Sequence, residues 1–254
     1  MKILLIPGHG NGDSGAVGNG YREADLTRQM AVLIKGELSK YCTVDIADTA
    51  VNWYRKIIKY GEYFNFKAYD YIIEIHFNSS AGTNADGKTT GTEIYITRAV
   101  PKGSIEEETA ENIVRNISKL GFKNRGVKRT NFDLIYHIKK QGVPAALLEV
   151  CFINDTDDMK LYKAKSHAIS AAVAVGVADG YKLKKQGADD LTKADVINII
   201  KEYEAQKAKE AAGTWAADAM NKAKAKGIMD GSSPKSPATR EQIAVILNRL
   251  GLLK

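Results

Sequence analysis

Cysteine, tryptophan and proline are scarce in this chain, with two, two and five copies in 254 residues. Two thiols cannot build a disulfide framework. Cys42 and Cys151 lack metal-type spacing and stand in apolar surroundings, so they read as buried free thiols suited to a reducing compartment of synthesis. Long apolar runs are missing too, and nothing approaches the roughly 20 residues that cross a bilayer. The first residues have neither the apolar span nor the small-residue cleavage site of a secretory signal. The expectation is a protein made in the cytoplasm, with no membrane span. Aromatics make up 8%, and no dense basic stripe interleaves with them, which argues against a nucleic-acid partner. A Walker-type Gly-Lys-Ser/Thr, an H-E-x-x-H and a G-x-S-x-G are all absent, which sets aside three common hydrolase chemistries.

Hydrophobic residues are 44% of the chain, enough for one substantial core and a small appendage. The net charge of +7 is uneven: residues 1–182 carry +3 and residues 183–254 carry +4. A basic C-terminal region suits a polyanionic partner. Apolar runs at Lys2–Pro7, Thr43–Ala47, Tyr71–His76, Thr92–Thr97 and Ala145–Cys151 read as strands. Helical periodicity marks Glu23–Lys40, Trp53–Phe66, Glu106–Leu120 and His167–Tyr181. The alternation predicts an α/β fold: a doubly wound, mostly parallel sheet with helices on both faces, plus a small all-helical C-terminal unit. Ser80–Gly91 reads as a surface loop, and so does Asn124–Asp133. Residues 183–212 form a connector and a linker helix capped by Thr192, with Val196, Ile199, Ile200 and Tyr203 on one apolar stripe. The final unit, 213–254, is a helix over Trp215–Lys226, a Gly/Ser/Pro loop, and a helix over Thr239–Leu250.

Chemistry concentrates where strands end. In an open α/β sheet, ligands sit outside the carboxyl ends of the strands. His9 follows the first predicted strand on the turn Gly8-His9-Gly10-Asn11-Gly12-Asp13-Ser14-Gly15, His76 ends the third, and Glu149 lies near the end of a later one. On the first helix Glu23 shares a face with Leu26, Met30, Leu33 and Ile34. An inward carboxylate is unfavourable unless paired or metal-bound, and in the first turn the helix dipole favours its ionised form. Two imidazoles and one carboxylate leave one position open on a tetrahedral zinc, the pattern of a catalytic site. Other divalent metals accept the same donors. Glu74 rivals Glu149 as the catalytic acid but reads better as a structural pair or a solvent-facing residue, and His137 and His167 read as surface or packing residues. Gly10, Gly12 and Gly15 also spell G-x-G-x-x-G. The helix does not open within that motif, so a dinucleotide site is not inferred.

Four segments together resemble the zinc-dependent N-acetylmuramoyl-L-alanine amidases with a doubly wound sheet. They are Gly8 to Gly18 with Glu23, Ile75-His76-Phe77-Asn78, Gly91-Thr92-Glu93-Ile94-Tyr95, and Pro144 to Glu149 followed by Phe152-Ile153-Asn154. One departure is Val150-Cys151, where the family more often has Thr-Gly or Ser-Gly. The resemblance implies a catalytic domain over 1–182, zinc on His9, Glu23 and His76, and Glu149 as catalytic acid/base. It also implies peptidoglycan as substrate, cut between N-acetylmuramic acid and L-alanine of the stem peptide. Glu149 would take the proton of water and return it to the departing amine. Arg125, Lys128 and Arg129 fit either stem-peptide carboxylates or plain solvation, and solvation is the simpler reading. Rival readings are a zinc peptidase acting within the stem peptide and a non-catalytic wall-binding protein.

Trp215-Ala216, Gly227-Ile228, Gly231, Pro234 and Thr239-Arg240-Glu241 resemble a single S-layer homology motif without its usual loop phenylalanine. That resemblance implies binding to an anionic secondary cell-wall polymer, with self-association bringing several motifs together. Synthesis without an export signal suits a phage endolysin released by a holin, or a sporulation amidase that acts when the mother cell lyses.

Overall fold

Successive side chains of a strand point to opposite faces, and in β1 (Lys2–Pro7) both directions are buried. Ile3 and Leu5 join one apolar cluster, and Leu4 and Ile6 join another. That double burial is why the segment reads as one unbroken apolar run. The computed structural model describes residues 1–80, 89–185, 193–209 and 211–253, and the chain divides into two units, Met1–Gln186 and Gly187–Lys254.

In the first unit β2 (Val17–Gly18) and β3 (Tyr21–Arg22) form a small hairpin that leads into α1 (Glu23–Leu38). The main sheet is completed by β4 (Thr43–Ile46), β5 (Tyr71–Asn78), β6 (Thr92–Ile96), β7 (Asn124–Arg129) and β8 (Ala145–Phe152). Its order is β4-β1-β5-β8-β6-β7. Every pairing is parallel except β6 with β8. Helices α1, α2 (Ile105–Ser118) and α4 (Thr156–Tyr181) cover one face, burying Met30, Ile34, Ile113, Ile117, Val173 and Val177 against it. The other face is covered by α3 (Asp133–Lys140) and the segment from Trp53 to Phe66, through Trp53, Ile57, Phe66, Leu134 and Ile138.

The mixed α/β layering and mostly parallel sheet agree with the sequence expectation. Three local expectations need correction. Trp53–Phe66 is not one helix: a π-helical turn spans Arg55–Lys59 and a 3-10 turn spans Phe66–Ala68. Its aromatics fold back on each other, with Trp53 and Phe64 edge to face at 4.9 Å. The stretch expected as a loop at 124–133 contains β7, an edge strand whose cations hid its pairing with β6. The last helix of this unit starts at Thr156, eleven residues before the expected His167, because Asp155 accepts from the amides of Asp157 and Asp158. A non-helical Lys165 (φ −130°) separates this early part from the stretch that the periodicity shows.

The second unit contains α5 (Lys193–Lys209), α6 (Thr214–Ala225) and α7 (Arg240–Arg249). A reciprocal capping box of Thr239 and Gln242 starts α7. Neither α6 nor α7 has a buried residue, and Trp215 is 91% exposed. Ile200 and Tyr203 are exposed, while Thr192 and the side chains of Val196 and Ile199 lie outside the described residues, as does most of the expected loop at 80–91. Among the described residues no helix is long and apolar enough to cross a membrane.

Candidate metal and catalytic site

The site begins where β1 ends. The backbone reverses through a tight turn in which Gly10 and Asp13 exchange amide hydrogen bonds of 2.8 and 3.2 Å. His9 is held at φ 61°, a conformation that a side-chain-bearing residue adopts only when its surroundings enforce it. Two glycines make room for the ring systems. A Cβ on Gly15, which has φ 62°, would lie 2.6 Å from His9 Cδ2 and 2.7 Å from Glu23 Oε2, and one on Gly8 would collide with the His76 ring.

Glu23 opens α1, and its buried carboxylate is met from four directions. The amides of Ala16 and Phe77 donate to it at 2.9 and 3.0 Å. His9 Nε2 lies 3.1 Å from Oε2, and His76 Nδ1 lies 2.9 Å from Oε1. Burial pushes this carboxyl up, but His76 and His9 outweigh it and hold the group well below the usual carboxylate range. The two imidazoles stand edge to face, 4.9 Å apart at 82°. Each is backed by a further carboxylate: Asp13 Oδ2 is 3.1 Å from His9 Nδ1, and Glu74 Oε1 is 3.1 Å from His76 Nε2. Asn52 donates to Asp13 at 3.0 Å. Burial lowers the affinity of both histidines for protons, yet the neighbouring carboxylates raise both above the ordinary value, His76 strongly.

One donor atom from each of His9, Glu23 and His76 lies within 4.8 Å of the others, so these three could hold a metal ion. The donor chemistry fits a divalent cation of the zinc type. Positive charge also has a reason to be there. Glu23, Glu74 and Glu149 crowd the same spot, and Glu149 Oε2 is buried without a hydrogen-bond partner among the described residues.

Glu149 comes from β8. It is in register with His76 on β5 and with Glu93 on β6, so His76, Glu149 and Glu93 form a row across three neighbouring strands. A register shift just after His76 marks where the pairing of β5 and β8 becomes irregular. Burial pushes the Glu149 carboxyl up to about 7, helped by the negative charges of Glu23, Glu93 and Glu74 and opposed by His76. A carboxyl so tuned can both accept and donate a proton near neutrality. Beside His9 and His76, which line it, opens a cavity of about 320 Å³ whose walls include the aromatics Trp53, Tyr54 and Phe132 and the acidic residues Asp13, Glu74 and Asp133. Tyr54 donates its hydroxyl to Asp133 at 3.3 Å.

All four expected site residues therefore meet in one place. Glu74 pairs with the His76 ring. His167 is exposed, and His137 is half-buried on α3. Two participants were missed. Asp13 stood inside the first motif, but its contact with His9 depends on the turn geometry. Glu93 is buried at the start of β6, where a parallel strand would have carried it to the far end of the sheet. Its oxygens are met by Asn78 at 2.6 Å, Tyr95 at 2.9 Å, Arg125 at 2.6 Å and Lys128 at 3.0 Å. Burial pushes the Glu93 carboxyl up, but these bonds outweigh it and leave the group below its ordinary value. The simple solvation expected of the three cations does not hold: Arg125 and Lys128 serve Glu93, and Arg129 pairs with Glu107.

A family model described as N-acetylmuramoyl-L-alanine amidase matches residues 3–180. An N-acetylmuramoyl-L-alanine amidase, CwlM of Bacillus licheniformis, is 31% identical over 188 residues, covering 71% of this chain and 67% of that protein. The endolysin of Bacillus phage SPP1 is 26% identical over 198 residues, covering 76% of this chain and 70% of the endolysin. Among solved structures, Cwp6 from Clostridium difficile superposes with a TM-score of 0.58 at 27% identity, over 70% of this chain and 29% of Cwp6.

Proposed function

The chain belongs to the N-acetylmuramoyl-L-alanine amidase family, and we propose that it cuts peptidoglycan with a zinc ion on His9, Glu23 and His76 and with Glu149 as the acid/base. The observation that carries this reading is the row of His76 and Glu149 in register across β5 and β8, with Glu23 2.9 Å from His76. Bound there, zinc supplies a Lewis acid that polarises the scissile carbonyl and makes water acidic enough to react.

The chain's own groups do the rest. Glu149, its carboxyl raised by burial, accepts the proton of the attacking water and passes it to the nitrogen of the departing L-alanine. Asp13 and Glu74 fix the ring orientations of His9 and His76. The amides of Ala16 and Phe77 hold the Glu23 carboxylate ionised and in place. Domain roles follow the same reading: 1–182 is catalytic, 183–212 connects, and 213–254 binds an anionic wall polymer, aided by self-association. The net +4 of residues 183–254 and the exposed Trp215 support that last role. The likeness to the SPP1 endolysin supports a phage-endolysin role, in which holin release would carry the enzyme to the wall. A sporulation amidase acting on mother-cell lysis has the same chemistry.

The test is metal content and lysis of purified Gram-positive walls, before and after chelation, with the released ends identified. About one zinc per chain, chelator-sensitive lysis, new N-terminal L-alanine and intact sugar chains are expected. Cuts between stem-peptide residues would replace this reading with a peptidase. Wall retention of Trp215→Ala tests the C-terminal role, and unchanged retention removes it.

A further inference from the structure

Glu149 stands between two groups of charged residues, one around β5 and one on β6 and β7. On the β1 and β5 side lies the cavity with Asp13, Glu74 and Asp133. On the β6 and β7 side two cations, Arg125 and Lys128, meet the single carboxylate of Glu93, which leaves that edge with an excess positive charge. The two cations are held differently. Arg125 donates through Nε to Glu93 at 2.6 Å and lays its guanidinium over the Phe152 ring at 4.9 Å, so its position is set by both neighbours. Lys128 touches Glu93 at 3.0 Å while its side chain is 39% exposed. An ammonium has three donors, so it can serve Glu93 and still face an incoming acceptor.

The direction of the stem peptide follows from the chemistry of Glu149, and this step rests on the amidase reading. The nitrogen that receives its proton belongs to L-alanine, so the peptide leaves from the Glu149 side of the site. The second stem residue is a γ-linked D-glutamate, whose free α-carboxylate lies about 7 Å from that nitrogen in an extended chain. Glu93 is in register with Glu149, one strand spacing of about 5 Å away. The Lys128 ammonium is 3.0 Å from a Glu93 oxygen. The sign of the charge matches, and the spacings are of the same order as that reach. We propose that Lys128, steadied by Glu93 and Arg125, binds the α-carboxylate of the second stem-peptide residue and makes the enzyme selective for the free acid over the carboxamide.

The experiment uses two soluble muramoyl peptides that differ only in that group, L-Ala-D-isoglutamate and L-Ala-D-isoglutamine, with KM and kcat measured separately at low salt. The free acid should have a KM about tenfold lower, the worth of one charge-assisted hydrogen bond, with kcat similar for the two. In Lys128→Met the ratio should fall to about one, and in Lys128→Glu the amide should become the better substrate. Equal KM values for the two peptides in the unaltered enzyme overturn the proposal while leaving the amidase reading standing. Retained discrimination in folded Lys128→Met overturns it as well. Failure to cut either peptide or whole walls overturns the amidase reading and this inference with it.

Discussion

Glu23 and Glu93 are both buried, both ionised, and both within reach of Glu149, yet they are satisfied in opposite ways. Glu93 has its counter-charges built into the chain, in Arg125 and Lys128 on the neighbouring strand. Glu23 has only the imidazoles of His9 and His76, which carry charge conditionally, and two further carboxylates stand behind those rings. Fixed cations neutralise Glu93 without any added ion. Titratable rings surrounded by acids make a cluster that could hold a divalent cation, because metal can replace the ring protons. In the proposed reaction the second kind of cluster does the bond-breaking, while the first steadies its neighbours and offers Lys128 to the substrate.

The largest test of this contrast removes a proposed ligand. His9→Ala should lose bound zinc and essentially all wall lysis, measured by metal analysis of the dialysed protein. Full metal content in that variant would break the comparison. Next comes Glu149→Gln, with a loss of about 10²–10⁴-fold in kcat while zinc stays bound. Full activity in that variant would disprove the assigned role.

The pH response follows from the same group. Glu149 must be ionised to take a proton, so kcat/KM should fall about tenfold per unit below the apparent value of this carboxyl, which burial raises to about 7 in the metal-free chain. A bound cation would move that value downward, since positive charge favours the carboxylate. Stability of the metal-free chain runs the other way. The folded state binds the Glu149 proton more tightly than the unfolded chain, about 7 against an ordinary 4.5. The stability tied to that proton is intact below about pH 4.5 and is lost as pH rises through about 7. Metal-free Glu149→Gln should therefore be more stable than the parent at pH 8 by about 3 kcal/mol, with the gain vanishing near pH 4. Urea melts at the two pH values check this, and an equal gain at both would refute it.

The smallest effect is expected on the Glu93 cluster. Arg125→Met leaves Lys128 on Glu93 and should cost about 2 kcal/mol of stability without removing zinc. A loss of metal there would show that the two clusters are one.

Much of this site was legible early because its residues sit at strand ends and a helix start, where local pattern and position coincide. His9 follows an apolar run, His76 and Glu149 end two others, and Glu23 begins an amphipathic stretch. Asp13 and Glu93 were not legible as site residues. The contact of Asp13 with His9 depends on a turn held by left-handed backbone at His9 and Gly15. The place of Glu93 depends on the direction of β6, and no periodicity encodes whether a strand runs parallel or antiparallel to its neighbour.

The amino-acid sequence by itself determined the layered α/β class, through apolar runs that must be buried on both faces and helices that must cover them. It also determined the donor types at the site, since imidazole and carboxylate are properties of residues. Tertiary structure decided which donors meet, which carboxylates are neutralised by the chain, and how far burial lifts Glu149. It also reversed β6 and β7, so that their first residues, Glu93 and Arg125 among them, lie beside the end of β8. Such outcomes come from contacts between residues far apart in the chain, such as Glu93 with Glu149, and charge and burial act through distance in space rather than along the sequence.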